Sequence, residues 1–165
     1  MNSFQRKYWS YSIYSSPGEE LKEVLPPKIP KPLGNGFKIC CFVDANHAGE
    51  SLTRRSRTGF IAMLNNAPIY WHSKKQTSVE TSTFGSDMMA MKQAADYTRG
   101  FRYKIRMFGI PVEEPAYMYW DNHSVLAGSS RSESTLNKKA QSIAFHFIRE
   151  GCAADEWRTY FSNKV

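Results

Sequence analysis

Three acidic side chains stand where their positions could create chemistry. Asp44 follows the apolar run Phe37-Lys38-Ile39-Cys40-Cys41-Phe42-Val43, and Asp121 follows the aromatic run Ala116-Tyr117-Met118-Tyr119-Trp120. Asp87 lies near the start of a proline-free stretch, Phe84 to Met107, rich in Met, Ala, Lys and Arg. The two short runs read as strands with a carboxylate at the tip, and the third carboxylate falls in the first turns of a long helix. Neighbouring strand ends faced by a helix terminus bring such groups together. Three carboxylates at close range do not all stay ionised without a counter-charge. Magnesium or manganese, which prefer oxygen ligands, would supply it. Two such ions about 4 Å apart activate a water and stabilise the leaving oxygen in phosphodiester cleavage. Taken singly, each aspartate reads first as a turn or capping residue, since Asp favours both places.

The elements that must position these groups are legible in outline. Residues 1–36 carry Pro26-Pro27, Pro30, Pro32 and Gly34-Asn35-Gly36, the marks of an extended lead-in or linker, and the domain proper is expected over 37–165. The first strand is expected to end at Asp44. Thr58 to Leu64 and Ala67 to Ser73 flank Asn65-Asn66, a two-residue hairpin turn, because asparagine tolerates positive φ. Thr81-Ser82-Thr83 offers helix N-caps, and Gly109 a stop. A short helix from Ser124 to Ala127 and a longer one from Thr135 to Ala154 follow, the latter with Ile143, Phe147 and Ile148 on its apolar side, and Trp157 to Phe161 reads as a last strand. Three strands, a helix, a strand, helices and a strand imply an α/β fold: a mixed sheet, beginning with an antiparallel meander, with helices packed on it.

Bulk composition agrees with a folded, basic domain. The 165 residues suit one domain, 41% are hydrophobic and 14% aromatic, and 22 Lys and Arg against 15 acidic residues leave a net charge of +7. That balance favours a polyanionic partner such as nucleic acid. Cys40, Cys41 and Cys152 are odd in number and lack metal spacing, so they read as buried free thiols of a reducing compartment. No signal-peptide core or apolar run of membrane-spanning length occurs, so the protein is expected to be intracellular, not secreted and not membrane-bound.

Five colinear blocks carry a family resemblance. Val43-Asp44-Ala45-Asn46-His47-Ala48-Gly49 with Thr53-Arg54-Arg55-Ser56-Arg57-Thr58-Gly59-Phe60 resembles the opening of ribonuclease H domains in copia-type retrotransposon Pol polyproteins. Pro68-Ile69-Tyr70-Trp71-His72-Ser73-Lys74-Lys75-Gln76, Val79 to Asp87, Tyr119-Trp120-Asp121-Asn122-His123-Ser124 and Ser134 to Glu150 resemble later blocks of the same family, over about residues 37 to 160. The resemblance implies a five-stranded mixed sheet with flanking helices. It implies metal-dependent cleavage of the RNA strand of an RNA–DNA hybrid, beside a reverse transcriptase domain of the same polyprotein. It assigns Asp44, Asp87 and Asp121 as catalytic residues and as ligands of two magnesium or manganese ions.

Two departures bear on activity. The family carries glutamate where this chain has Asp87, which retracts the carboxylate by roughly 1.5 Å. Its fourth carboxylate opens a closing helix beyond the last strand, and no residue here matches it, since Asp155 and Glu156 precede that strand. The expectation is therefore a fold lacking its last helix and a much reduced activity, with a non-catalytic nucleic-acid-binding remnant or a non-functional fragment of the element as the alternatives.

Other residues enter as candidate contacts. Arg54, Arg55, Arg57, Lys74 and Lys75 flank the meander and are candidates for phosphates of the hybrid, with Ser73, Asn122 and Ser124 as polar contacts. Hybrid recognition should be by shape and 2′-OH. Arg99, Arg102, Lys104 and Arg106 lie along the long helix at mixed spacing, so part of that set is expected on a solvent face. Trp71, Tyr119 and Trp120 are expected in core packing, with base stacking as the alternative, and His146 as a hydrogen-bonded packing residue.

Overall fold

A computed structural model describes residues 21–23, 25, 27–122 and 142–162. The strands β1 (Ile39–Asn46), β2 (Arg57–Leu64) and β3 (Ala67–Lys75) form the expected antiparallel meander. The long helix α1 (Thr83–Met107) follows, then β4 (Ala116–Trp120), α2 (Ser142–Ala153) and β5 (Trp157–Phe161). Both β4 and β5 join in parallel, giving one five-stranded sheet in the order β3-β2-β1-β4-β5. The short helix expected at 124–127 lies outside the described residues, as do residues 135–141 of the later helix.

Local chemistry sets the boundaries. Asn65 has φ +53° at the hairpin, and its side-chain oxygen accepts a 3.0 Å hydrogen bond from the Lys38 amide, closing that end of the meander. Ser82 caps α1 by accepting from the Gly85 amide at 3.2 Å. Gly109, at φ +73°, lets the chain turn away after the helix. The first strand runs past its expected end: Asp44, Ala45 and Asn46 still pair with Gly59, Thr58 and Arg57.

Both described helices contribute to one core. The inward residues Ile39, Cys41 and Val43 of β1, Phe60 of β2 and Met118 of β4 meet Met88, Met91 and Ala94 of α1 and Phe145, Ile148 and Cys152 of α2. Trp157 is fully buried, and Gly151 makes room for it, since a Cβ there would meet the indole ring at 2.0 Å. The outward face of the sheet is different. Strand registers place Trp71, Ile61, Phe42, Tyr119 and Tyr160 in one row across all five strands. Phe42 and Tyr119 stack there with ring centroids 4.9 Å apart.

Three expectations need correcting. Trp71 is 75% exposed, not in the core, because β3 is the edge strand and the described helices sit on the other face. On α2, Ile143 is 83% exposed, since the buried stripe runs through Ala144, Phe145, Ile148 and Cys152 and leaves it outside. His146 is also exposed on that helix, although its ring meets Phe145 edge-on at a centroid distance of 5.5 Å.

The helix arginines divide. Arg102 is buried and Arg106 nearly so, while Lys104 is exposed. Both guanidiniums grip Glu23, which precedes β1: Arg102 donates to its two oxygens at 3.0 and 2.7 Å, and Arg106 donates to both as well. Arg102 also donates to the Glu114 carbonyl at 2.8 Å. Ten residues on, the Leu33 amide donates to the Gly109 carbonyl at 2.8 Å. Part of the chain before β1 is thus fastened to the C-terminal end of α1.

Candidate active site

Parallel pairing sets the first two carboxylates side by side. Phe42 pairs with Tyr119, and continuing that register two residues along both strands brings Asp44 level with Asp121. Asp87, in the second turn of α1, completes the group. One small pocket is lined by Val43, Asp44, Ala45, Asp87, Ala90, Trp120, Asp121 and Asn122. Asp44 is exposed, and Asp87 and Asp121 are half-buried.

Electrostatics register the crowding. Burial, above all, pushes the Asp87 carboxyl above its ordinary range; a hydrogen bond from Asn122 works against this, and the charges of Asp121 and then Asp44 push it up further. Asn122 Nδ2 donates to Asp87 Oδ2 at 2.5 Å. The residue expected to touch nucleic acid therefore holds a carboxylate of the site. The donor set fits a hard dication in chemistry: three oxygen acids share a pocket, and one is already penalised for its charge. As the side chains stand, no group of three or more His, Cys, Asp or Glu among the described residues converges tightly enough to hold a metal ion.

A second layer surrounds Asp87. His47 Nδ1 lies 3.2 Å from Ser86 Oγ, and Ser86 Oγ donates to the Thr83 carbonyl at 2.8 Å. The buried Gln76 donates through Nε2 to the Ser86 carbonyl at 2.8 Å and to Thr58 Oγ1 at 3.0 Å. Ser56 Oγ accepts from the Ala48 amide at 3.0 Å. Ser56, Gln76 and Ser86 were not singled out from sequence as part of the site. Gln76 ends the tryptophan-to-glutamine block, and that placement was the signal on offer.

The basic candidates are partly gathered. Arg55, Arg57 and Lys75 share a groove of about 240 Å³ with Asn46, Gly49, Glu50 and Ser56. Lys75 is ion-paired with Glu50, which holds the Glu50 carboxyl below its ordinary range, with Thr53 adding to the effect. Arg54 is exposed on the same loop, at φ +55°. Ser73 is exposed and shares a row with Gly59 and Asp44. Lys74 points the other way, into a separate groove with Tyr70, His72 and Tyr97. Ser124 lies outside the described residues. Asp155 and Glu156 stand apart from the site, engaged by Arg158 and Arg99.

The class defined by this topology is the ribonuclease H fold. The chain superimposes on LC11-RNase H1, solved in complex with an RNA/DNA hybrid, with a TM-score of 0.56 at 12% identity, over 76% of this chain and 83% of that one. It matches a foamy viral protease-reverse transcriptase with a TM-score of 0.53 at 11% identity, over 87% of this chain and 20% of that one. No family model matches the sequence. In sequence, the chain is similar to the retrovirus-related Pol polyproteins from transposons RE2 and RE1 of Arabidopsis thaliana, 26% and 27% identical over 116 residues, or 70% of this chain. It spans 8% of the length of each. The chain thus has a ribonuclease H-like fold and is similar in sequence to one portion of transposon Pol polyproteins.

Proposed function

We propose that this domain binds RNA–DNA hybrids and hydrolyses their RNA strand slowly, as the ribonuclease H portion of a retrotransposon polyprotein. The observation that carries this reading is the meeting of Asp44, Asp87 and Asp121, from β1, α1 and the end of β4, at one pocket. The three would hold two magnesium or manganese ions. Such ions, when bound, lower the pKa of a water and stabilise charge on the leaving oxygen. Asn122 orients Asp87. Arg55 and Arg57, with Ser73 on the row of Asp44, would meet phosphates of a hybrid lying across the meander. Residues 37–165 would form the domain and residues 1–36 the lead-in from a reverse transcriptase, its functional partner inside the cell.

Slow turnover follows from the short reach of Asp87, because misplacement of about 1 Å costs on the order of a hundredfold in rate. A second reading, a hybrid-binding domain without catalysis, is favoured by the lack of tight convergence among the described acidic groups. Titration calorimetry with manganese and cleavage of a labelled hybrid in magnesium separate the two. The expected result is two manganese-binding events and slow RNA cleavage, both lost in Asp44→Asn. Hybrid binding with no manganese uptake supports the second reading, and failure to bind hybrid sinks both.

A further inference from the structure

Ser86 directly precedes Asp87 and is completely buried. Its hydroxyl has a fixed direction: the proton goes to the Thr83 carbonyl at 2.8 Å, so the oxygen offers only lone pairs to other groups. His47 Nδ1 lies 3.2 Å from this oxygen and 3.5 Å from Ser56 Oγ, and with the Ser86 proton directed to Thr83 the Nδ1–H tautomer is the one that bonds to Ser86. The Ser86 carbonyl is held separately by Gln76 Nε2 at 2.8 Å. The backbone amide of Gln76 in turn donates to the Ser56 carbonyl at 2.8 Å. The loop after β1, the end of β3 and the start of α1 are thereby tied at a single residue.

We propose that His47 is a positioning residue of the carboxylate site, acting through Ser86 to fix Asp87 against Asp44 and Asp121. His47 comes three residues after Asp44 and reaches the residue before Asp87, so one side chain links the two elements that supply these carboxylates. Gln76 fixes the carbonyl of Ser86 but does not span that junction. The value of such a tie is greatest here because Asp87 has a short side chain, and its carboxylate goes where the helix backbone carries it. In metal sites, groups that orient the ligands typically account for about 10–100-fold in affinity.

This inference rests on the metal-site reading, and two readouts keep the failures apart. The first needs no metal: amide hydrogen exchange of Gly85 and Ser86, whose N–H groups bond to Ser82, measured by NMR in the parent chain, His47→Phe and His47→Asn. His47→Phe keeps a ring but removes the donor and should speed exchange about tenfold or more, while His47→Asn keeps a donor and should restore part of the protection. The second is manganese affinity by calorimetry, expected to fall about tenfold in His47→Phe and to recover partly in His47→Asn. Ser86→Ala, which removes the acceptor instead, should reproduce His47→Phe in both measurements. If His47→Phe leaves amide exchange at the parent rate, the proposal is overturned whatever the metal does. If exchange responds but the parent chain takes up no manganese, the tie stands and the metal-site reading falls.

Discussion

Asp87 concentrates the tension at this site. Its carboxyl is raised by burial and by two neighbouring carboxylates, so the folded chain holds that proton more tightly than the unfolded chain does. Stability contributed by the protonated form is therefore full below the ordinary carboxylate range and is lost as pH rises through the raised value. At neutral pH the ionised side chain is a local cost that the fold carries. Asp87→Asn removes the charge and keeps an acceptor for Asn122, so its melting temperature at pH 7 should exceed that of the parent. The advantage should vanish at pH 3, and a scan at the two pH values checks it. An equal or lower melting temperature at pH 7 would mean that the carboxylates do not repel as described. The same substitution should abolish manganese binding, a trade of stability for function.

At the scale of elements, Glu23 makes the clearest claim. Arg102 is buried and Glu23 nearly so, and removing one member of such a pair leaves the other charge without compensation, at a cost of roughly 3 kcal/mol or more. Glu23→Ala should lower the free energy of urea unfolding by about that amount, and no change would mean that the lead-in does not brace α1. The two guanidiniums hold the Glu23 carboxyl down at about 2, against the opposing effect of burial. Its contribution should therefore be present above the ordinary carboxylate range near 4.5 and disappear as pH falls toward 2. This clasp was not legible in the sequence. Proline and glycine mark an extended segment, but no periodicity links Glu23 to an arginine 79 residues away. The meander and α1 were legible because the Asn65-Asn66 turn, the Ser82 cap and the Gly109 stop are local signals. Alternation along β3 could not reveal which strand lies at the edge, so Trp71 was misplaced. The three aspartates were legible by their positions at strand tips and a helix start; the His47–Ser86 tie was not, because a hydroxyl and an imidazole gain their meaning only from the fold.

For the whole molecule, the +7 charge should show itself in salt dependence. Each phosphate contact contributes roughly −0.9 to the slope of log K against log salt on a duplex. Arg57→Ala should reduce the magnitude of that slope for hybrid binding by about 1, with little change in preference among sequences. Lys75→Ala should change it less, because Glu50 already engages that ammonium. A filter-binding or anisotropy series across salt concentrations distinguishes them, and equal effects would remove Lys75 from the ion pair described. The aromatic row on the outer sheet has an optical consequence. Among the described tryptophans, Trp120 and Trp157 are buried and Trp71 stands in water. In a Trp9→Phe background, collisional quenching by acrylamide will therefore sample chiefly the outer wall of the sheet, and a blue shift in emission will report anything that comes to rest on it, with no label attached.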